Sequence, residues 1–191
     1  VAVEHVGADL TDASAVRALI AAAGPLAGVI HAAAYTAVDR AEEEEALAQK
    51  VNGDAAGHVA AAAAEAGVPI VCVGTDFVFD GTKGEPYCEG DPPSPLGAYG
   101  RTKRAGEELA LSAHPRGCSI VRTQWLYGPR GKHFPGTMLR LAGERDTLRV
   151  VNDQVGSPTT TLELAPALWD VLIRGEPGIY HAACEECCSL Y

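Results

Sequence analysis

The chain has 191 residues, of which 47% are hydrophobic and 21% are charged, a balance typical of a folded globular protein. This length suits one sizeable domain with room for a small lobe, and its core needs no disulfide or metal to hold it. The formal net charge of −10 argues against a nucleic acid or an anionic membrane as a partner, although a nucleotide can still bind at a helix end or a single basic residue.

The sequence contains no segment typical of membrane insertion or export. No apolar run reaches the roughly 20 residues that a membrane-spanning helix needs. The first ten residues, VAVEHVGADL, have neither the basic start nor the apolar centre of a signal peptide. They also lack an initiator methionine, so we expect a fragment of a longer protein.

In chain order, short apolar runs rich in Val and Ile alternate with longer segments rich in Ala and Leu. The pattern predicts helix 12–23, strand 28–33, helix 41–66, strand 69–74, helix 97–113, strand 118–123, helix 134–144, strand 148–151, helix 161–174 and strand 178–182. Asp9 or Thr11 is expected to cap the first helix, because a short side-chain oxygen accepts hydrogen bonds from free backbone N–H groups. Asn52-Gly53 is expected to interrupt helix 41–66, since glycine costs a helix about 1 kcal/mol relative to alanine.

The predicted strands are continuous apolar runs and do not alternate with polar residues. That pattern indicates burial on both faces, and hence a parallel sheet between two helix layers. The alternation of strands and helices then predicts an α/β, doubly wound, Rossmann-like fold with right-handed crossovers. The loop 80–98 is rich in Gly, Pro and Asp, and a connection this long in a compact domain is more often functional than incidental.

Six cysteines bear on the cellular compartment and on metal binding. Cys72 and Cys118 lie in apolar runs and are expected to be buried thiols, and Cys88 lies in a loop. The C-terminal CEECC, residues 184–188, has thiols that could bind zinc, but no second CxxC and no His-x-His accompanies it. We therefore expect no metal, and a reduced, cytoplasmic protein.

Ligands of a doubly wound sheet bind beyond the carboxyl ends of its strands. Three predicted strands end there in suggestive segments: HAAAYT (31–36), GTDFVFDG (74–81) and RTQWLYG (122–128). The alanines fit either tight packing or the close approach of a flat cofactor. Thr75 and Asp76 fit either a polar turn or a ligand contact, and Trp125 fits either core packing or a site.

Tyr99 and Lys103 lie four residues apart in AYGRTKRAG, residues 98–106. Because residues at this spacing share a helix face, the pair fits an ordinary surface as well as a catalytic site. This segment alone does not distinguish an exposed helix face from a catalytic site.

The motifs in combination resemble the extended short-chain dehydrogenase/reductase family, and within it the RmlD-type sugar-nucleotide reductases. TDxVFDG followed by YGx[ST]K is far more specific than either motif alone. The resemblance covers most of residues 9–183, with these segments in the family's order: AAAYTAVDRAE (32–42), VN (51–52), TDFVFDGTKGEPY (75–87), PPSPLGAYGRTKRAGE (92–107), VRTQWLYG (121–128) and DQVGSPT (153–159).

The resemblance implies NADPH- or NADH-dependent reduction of the 4-keto group of a dTDP-linked deoxysugar, dTDP-4-dehydro-L-rhamnose to dTDP-L-rhamnose. Tyr99 would donate the proton to the oxygen that gains charge. A free tyrosine titrates near pH 10, and Lys103 is expected to lower that value and, by resemblance, to contact the nicotinamide ribose. Thr75 would hydrogen-bond the substrate oxygen, and Asn52 would support a proton relay through water.

The same resemblance assigns the remaining contacts. The cofactor would be bound by Asp9 and Leu10, which resemble an adenine-contacting pair at the end of a strand, and by Ala32, Ala33, Ala34, Tyr99 and Lys103. The dTDP-sugar would contact Thr75, Asp76, Trp125, Val38 and Asp39. We also expect a homodimer, with no nucleic acid and no membrane as partners.

The resemblance divides the chain into a partial dinucleotide-binding domain, 1–128, and a partial substrate-binding lobe, 129–191. Segments 148–157 and 178–183 are expected to return to the main domain. The family's glycine-rich pyrophosphate turn is absent from the sequence, so we expect about thirty further residues before Val1, and a truncation also at the C-terminus, where CEECCSLY departs from the family. Gly74 stands where the family usually has Ser, and Phe77 where Tyr is frequent.

Two other functions stay open. The regulatory β subunit of methionine adenosyltransferase resembles the same reductases and acts as a binding protein, but a binding role would not require an intact Thr75, Tyr99 and Lys103. Another extended-family epimerase or dehydratase is the second alternative, although TDFVFDG and DQVGSPT resemble the reductases more.

Overall fold

A parallel four-stranded sheet forms the centre of the computed structural model, which describes residues 8–191. The strands lie in the order β1-β2-β3-β7, with bounds Val29–His31, Ile70–Val73, Cys118–Arg122 and Gly178–His181. In register, Val29 pairs with Ile70, Ile70 with Cys118, and Ser119 with Gly178. Because all four strands run the same way, their carboxyl ends meet at one edge, as the predicted doubly wound fold requires.

Helices cover both faces of this sheet. Their bounds are α1 Ala13–Ala22, α2 Val38–Ala41, α3 Glu45–Ala48, α4 Ala55–Glu65, α5 Ala98–Ala113, α6 Phe134–Ala142 and α7 Thr161–Arg174. On one face, α1, α4 and α5 pack against Ile70, Cys72 and Ile120. On the other, three leucines of α7 pack against Val71 and Val121. The predicted α/β layering is confirmed.

The predicted helix 41–66 is interrupted where the sequence indicated. Between α3 and α4, residues Gln49–Asp54 form a π-helical segment, inside which Asn52 and Gly53 are buried. A π-helical turn widens the helix by one residue per turn and is frequent at functional sites. Here it carries the Asn52 side chain toward the loop that follows β1.

The first helix is capped by a residue other than the two predicted. Asp12 Oδ1 accepts hydrogen bonds from Ser14 N at 2.8 Å and from Ala15 N at 3.3 Å, so Asp12 is the cap. Asp9 accepts instead from Thr11 N at 2.9 Å, in a turn before the helix. The prediction of Asp9 or Thr11 was wrong because the helix begins one residue later than expected, at Ala13.

The predicted strand at 148–151 is also wrong. In the described part of the chain no strand is found there, and Val151 is half exposed. An apolar run becomes a strand only where a neighbouring backbone offers hydrogen bonds and a face to pack on. The nearby chain forms only short pairs, β4 Leu126–Tyr127 parallel to β6 Thr159–Thr160 and β5 Val155–Gly156 antiparallel to β8 Cys188–Ser189.

No helix within residues 8–191 combines the length and apolar character needed to cross a bilayer.

Candidate active site

Thr75 and Tyr99 meet at the carboxyl edge of the sheet. Thr75 follows β2 and begins a 3₁₀ turn, Asp76–Val78, where its Oγ1 donates to Asp76 Oδ1 at 3.1 Å and accepts from Phe77 N at 3.3 Å. The Tyr99 ring packs edge-on against Phe77, with ring centroids 5.4 Å apart. Tyr99 therefore lies against the turn that Thr75 begins.

Two glycines bring α5 close enough for that contact. A Cβ on Gly100 would lie 2.2 Å from the Phe77 carbonyl oxygen, and a Cβ on Gly106 would lie 2.1 Å from the Asn52 carbonyl oxygen. Both neighbours are backbone atoms, so neither can rotate away. The sequence contains an indication of this packing: two glycines inside a helix reduce its stability unless they permit a close contact with a neighbouring element.

Lys103 is largely buried and hydrogen-bonded to the backbone of the sheet. Its Nζ donates to the Val73 carbonyl oxygen at 2.7 Å. Burial lowers the pKa of Lys103, and the Cys72 thiol and the Glu107 carboxylate act in the opposite direction.

Burial also raises the pKa of Tyr99, the hydrogen bond with Thr75 lowers it, and the charge of Asp76 raises it further. This rise is the reverse of the direction expected from the Tyr99–Lys103 spacing. The physical reason is that the ammonium group is turned to the Val73 carbonyl, so Lys103 does not offset the burial of the phenol.

Asn52 acts as a strut between the loop after β1 and α5. Its Oδ1 accepts from Tyr35 N at 2.8 Å, and its Nδ2 donates to Tyr35 O at 3.2 Å and to Thr102 Oγ1 at 3.1 Å. With 2% of its surface exposed, the residue has its amide oxygen and nitrogen engaged. Its predicted part in a proton relay stays a prediction.

His31 was missed by the sequence reasoning, although it ends the apolar run GVIH. It closes β1 and is buried. Burial and, second, the charge of Lys103 lower the pKa of His31 to about 4, so its imidazole is neutral at neutral pH. His31, Asn52, Cys72, Lys103 and Glu107 line a small internal cavity of about 10 Å³, roughly the space of one water molecule.

Trp125 lies three residues beyond the end of β3 in a strained backbone conformation. Its φ of 46° is in the left-handed region, which a bulky residue rarely adopts. A Cβ on Gly156 would lie 2.8 Å from Trp125 Cε2, and Thr159 N donates to the Trp125 carbonyl at 3.3 Å. The segment DQVGSPT therefore packs on RTQWLYG.

The other predicted residues border the same edge. Burial raises the pKa of Asp76 to about 6, with the hydrogen bond from Thr75 opposing. Ala32 and Ala33 are exposed directly after β1, and Ala34 is partly buried. Asp9 is exposed and Leu10 packs on the core, while the strand predicted to end at this pair lies outside the described residues. The first two residues of α2 are Val38, partly buried, and Asp39, exposed.

The cysteines of residues 8–191 are all free thiols. Within the same range, no group of three or more His, Cys, Asp or Glu side chains is placed to hold a metal ion.

A parallel sheet with a Thr, a Tyr and a Lys at its carboxyl edge defines a Rossmann-like domain of the extended short-chain dehydrogenase/reductase class. Within that class, the chain belongs to the family described as RmlD substrate binding domain, whose model matches residues 1–191.

Similar proteins agree with this placement. The chain is 46% identical over 179 residues to the dTDP-4-dehydrorhamnose reductase of Streptomyces griseus, covering 91% of this chain and 59% of that protein. It is 41% identical over 181 residues to a dTDP-4-keto-6-deoxy-D-glucose reductase of Streptomyces niveus, covering 95% and 62%. The chain thus spans about 60% of the length of these curated relatives.

Two crystal structures of dTDP-4-dehydrorhamnose reductases have the same fold. The Clostridium acetobutylicum protein matches with a TM-score of 0.91 and 43% identity, covering 96% of this chain and 64% of that one. The Bacillus anthracis protein, crystallised in complex with NADP, matches with a TM-score of 0.90 and 40% identity, covering 95% and 64%.

Proposed function

We propose that this chain carries the catalytic residues of an NAD(P)H-dependent reductase acting on the 4-keto group of a dTDP-linked deoxysugar, with dTDP-4-dehydro-L-rhamnose as substrate and dTDP-L-rhamnose as product. The observation that carries the proposal is the packing of Tyr99 on the turn that Thr75 begins, with Lys103 one helical turn further along α5. The names of the relatives, and the NADP bound to one of them, support it.

The proposed chemistry follows from the charge that develops on the substrate. Bound NADPH or NADH supplies the hydride to C4, and the carbonyl oxygen gains negative charge as the bond forms. Tyr99 gives that oxygen its proton, while the Thr75 hydroxyl donates a hydrogen bond to it. Because burial raises the pKa of Tyr99, the phenol is protonated at neutral pH and available as a donor. The phenolate that is left lies one helical turn from Lys103, whose positive charge favours it.

The residues around the carboxyl edge fit a flat cofactor and a sugar nucleotide. The small, exposed Ala32 and Ala33 leave the backbone after β1 accessible to a ligand, and we assign Ala34, Asp9 and Leu10 to the same cofactor. For the substrate we propose contacts from Asp76, Trp125, Val38 and Asp39. In domain terms, residues 1–128 would hold the cofactor, and 129–191 would cover the sugar.

The decisive experiment follows the stoichiometry of hydride transfer in the complete protein that contains this chain. A reductase oxidises one NAD(P)H for each 4-keto sugar that becomes a 4-hydroxy sugar. An epimerase or a dehydratase would change the dTDP-sugar without net consumption of reduced cofactor, and a regulatory subunit would bind without turnover. Either of those results would refute the proposed reaction.

Location and assembly are part of the same proposal. We propose a cytoplasmic protein; the cysteines, which form no disulfide within residues 8–191, are compatible with that compartment. We also propose a homodimer. Sedimentation velocity of the complete protein would test it, and a monomer at micromolar concentration would refute it.

A further inference from the structure

A buried ion pair lies one helical turn beyond Lys103. Glu107 accepts hydrogen bonds from Arg122 Nε at 2.9 Å and from Arg122 Nη2 at 2.7 Å, and both residues are 3% exposed. The pair joins α5 to the end of β3, one of the two inner strands of the sheet. Arg104 adds a third contact, from its Nη1 to Glu107 Oε2 at 3.0 Å.

Stability alone does not account for such a pair. Taking two charges out of water costs several kcal/mol, and replacing a buried pair with well-packed apolar residues is often neutral or favourable. The neighbouring backbone nevertheless leaves space for the Glu107–Arg122 pair. A Cβ on Gly74 would lie 2.9 Å from Arg122 Cγ and 3.1 Å from Glu107 Oε1, so the glycine after β2 leaves the space that the pair occupies.

The negative end of this pair faces the same cavity as Lys103. The polar lining of that cavity comes from four elements: β1 with His31, β2 with Cys72, the π-helical segment with Asn52, and α5 with Lys103 and Glu107. The apolar Ala56 of α4 and Ile120 of β3 also line it. The low pKa of His31 leaves its imidazole neutral at neutral pH. The pKa of Cys72 is raised well above its usual range by the hydrogen bond with Cys118 and by burial, so the thiol is neutral too.

Glu107 is therefore the negative group among those that face Lys103 across the cavity in the described chain. The other titratable group of α5 near this edge, Tyr99, is a protonated phenol whose pKa is raised by burial. A buried ammonium without a counter-charge loses its proton readily.

We propose that Glu107, clamped by Arg122, is a positioning residue that keeps the Lys103 ammonium charged and fixed at the carboxyl edge. This inference rests on the proposed function for the use made of Lys103, but the contacts that carry it do not. Arg122 holds the carboxylate in one orientation with two hydrogen bonds, and its guanidinium lies over the Phe79 ring at 5.1 Å.

The test reads the protonation of Lys103 directly, by NMR titration of the whole chain labelled at lysine. The sequence has only four lysines, Lys50, Lys83, Lys103 and Lys132, so Lys103→Met assigns the signal and the other three serve as internal references. In Glu107→Gln we expect the pKa of Lys103 to fall by about one pH unit, a tenfold shift toward the neutral amine. The control is Glu108→Gln, which removes an exposed neighbour that pairs only with Arg104 among the described residues.

Glu107→Gln leaves Arg122 buried without its partner, which can prevent folding. The double variant Glu107→Gln/Arg122→Met removes both charges and keeps the volume. A merely structural pair predicts wild-type titration of Lys103 in the folded double variant, and that result would overturn the proposal. A fall in the pKa of Lys103, absent from Glu108→Gln, supports it.

The same variants separate this inference from the proposed function. If the titration shifts as expected but the complete protein transfers no hydride to the 4-keto sugar, the positioning role stands and the proposed reaction fails. If the protein is an active reductase and the titration does not shift, the positioning role fails alone.

Discussion

Gly100→Ala tests whether the close contact of α5 with the 3₁₀ turn holds the site together. The added methyl would lie 2.2 Å from the Phe77 carbonyl oxygen, and side-chain carbons are essentially never found within 3.0 Å of such an atom. The added Cβ is fixed to the backbone of α5, and the oxygen belongs to the backbone of the 3₁₀ turn, so α5 and the turn have to move apart. Overpacking of this kind costs about 1 to 3 kcal/mol, while alanine regains about 1 kcal/mol of helix propensity. We expect a net loss of up to about 2 kcal/mol.

The functional effect of this substitution should exceed its effect on stability, because Tyr99 precedes Gly100 and moves with it. A displacement near 1 Å can cost about a hundredfold in rate. Urea unfolding measures the first effect and kcat of the complete protein the second. Gly90→Ala is the control, since nothing lies within 4 Å of its added methyl. Unchanged unfolding and unchanged kcat in Gly100→Ala would refute the packing argument.

Two further predictions concern neighbouring side chains. Asn52→Leu removes three hydrogen bonds that tie the loop after β1 to α5, and urea unfolding should show a loss of about 3 kcal/mol; a loss below about 1 kcal/mol would contradict its role as a strut. Burial raises the pKa of Asp76 from 3.8 to about 6. The folded state therefore holds this proton more tightly than the unfolded state, and stability falls as pH rises between these two values. Asp76→Asn should remove that fall and leave the protein more stable than the wild type at neutral pH; parallel stability profiles for the two proteins would refute it.

The central sheet could be predicted from the sequence because its inner strands, β2 and β3, are buried on both faces. GVIHAA, PIVCVG and CSIVRT are short, apolar and β-branched, and each lies between helix-forming segments. LRVV at 148–151 has the same local composition but does not form a strand. The difference is not local, because a strand depends on a partner strand that composition does not reveal.

The candidate site was predictable residue by residue but not as an arrangement. Thr75, Tyr99 and Lys103 follow from motifs, whereas the direction of the Lys103 side chain depends on which carbonyl of β2 lies within its reach. The pairing of Glu107 with Arg122 joins a helix to the following strand across 15 residues of sequence, and neither residue belongs to a motif that predicts it. Tertiary packing decides such contacts, and it also sets the direction of each pKa shift.

The claim that Tyr99 is the proton donor is tested most directly by Tyr99→Phe in the complete protein. Tyr180→Phe is the matched control, because it also removes one phenol hydroxyl, which bonds to the Glu176 carbonyl away from the site. General acid catalysis contributes typically 10²- to 10⁴-fold, so kcat for NADPH-dependent reduction of dTDP-4-dehydro-L-rhamnose should fall by at least about a hundredfold in Tyr99→Phe. It should stay within about twofold of the wild type in Tyr180→Phe. A Tyr99→Phe protein that binds both ligands and turns over at the wild-type rate would contradict the account.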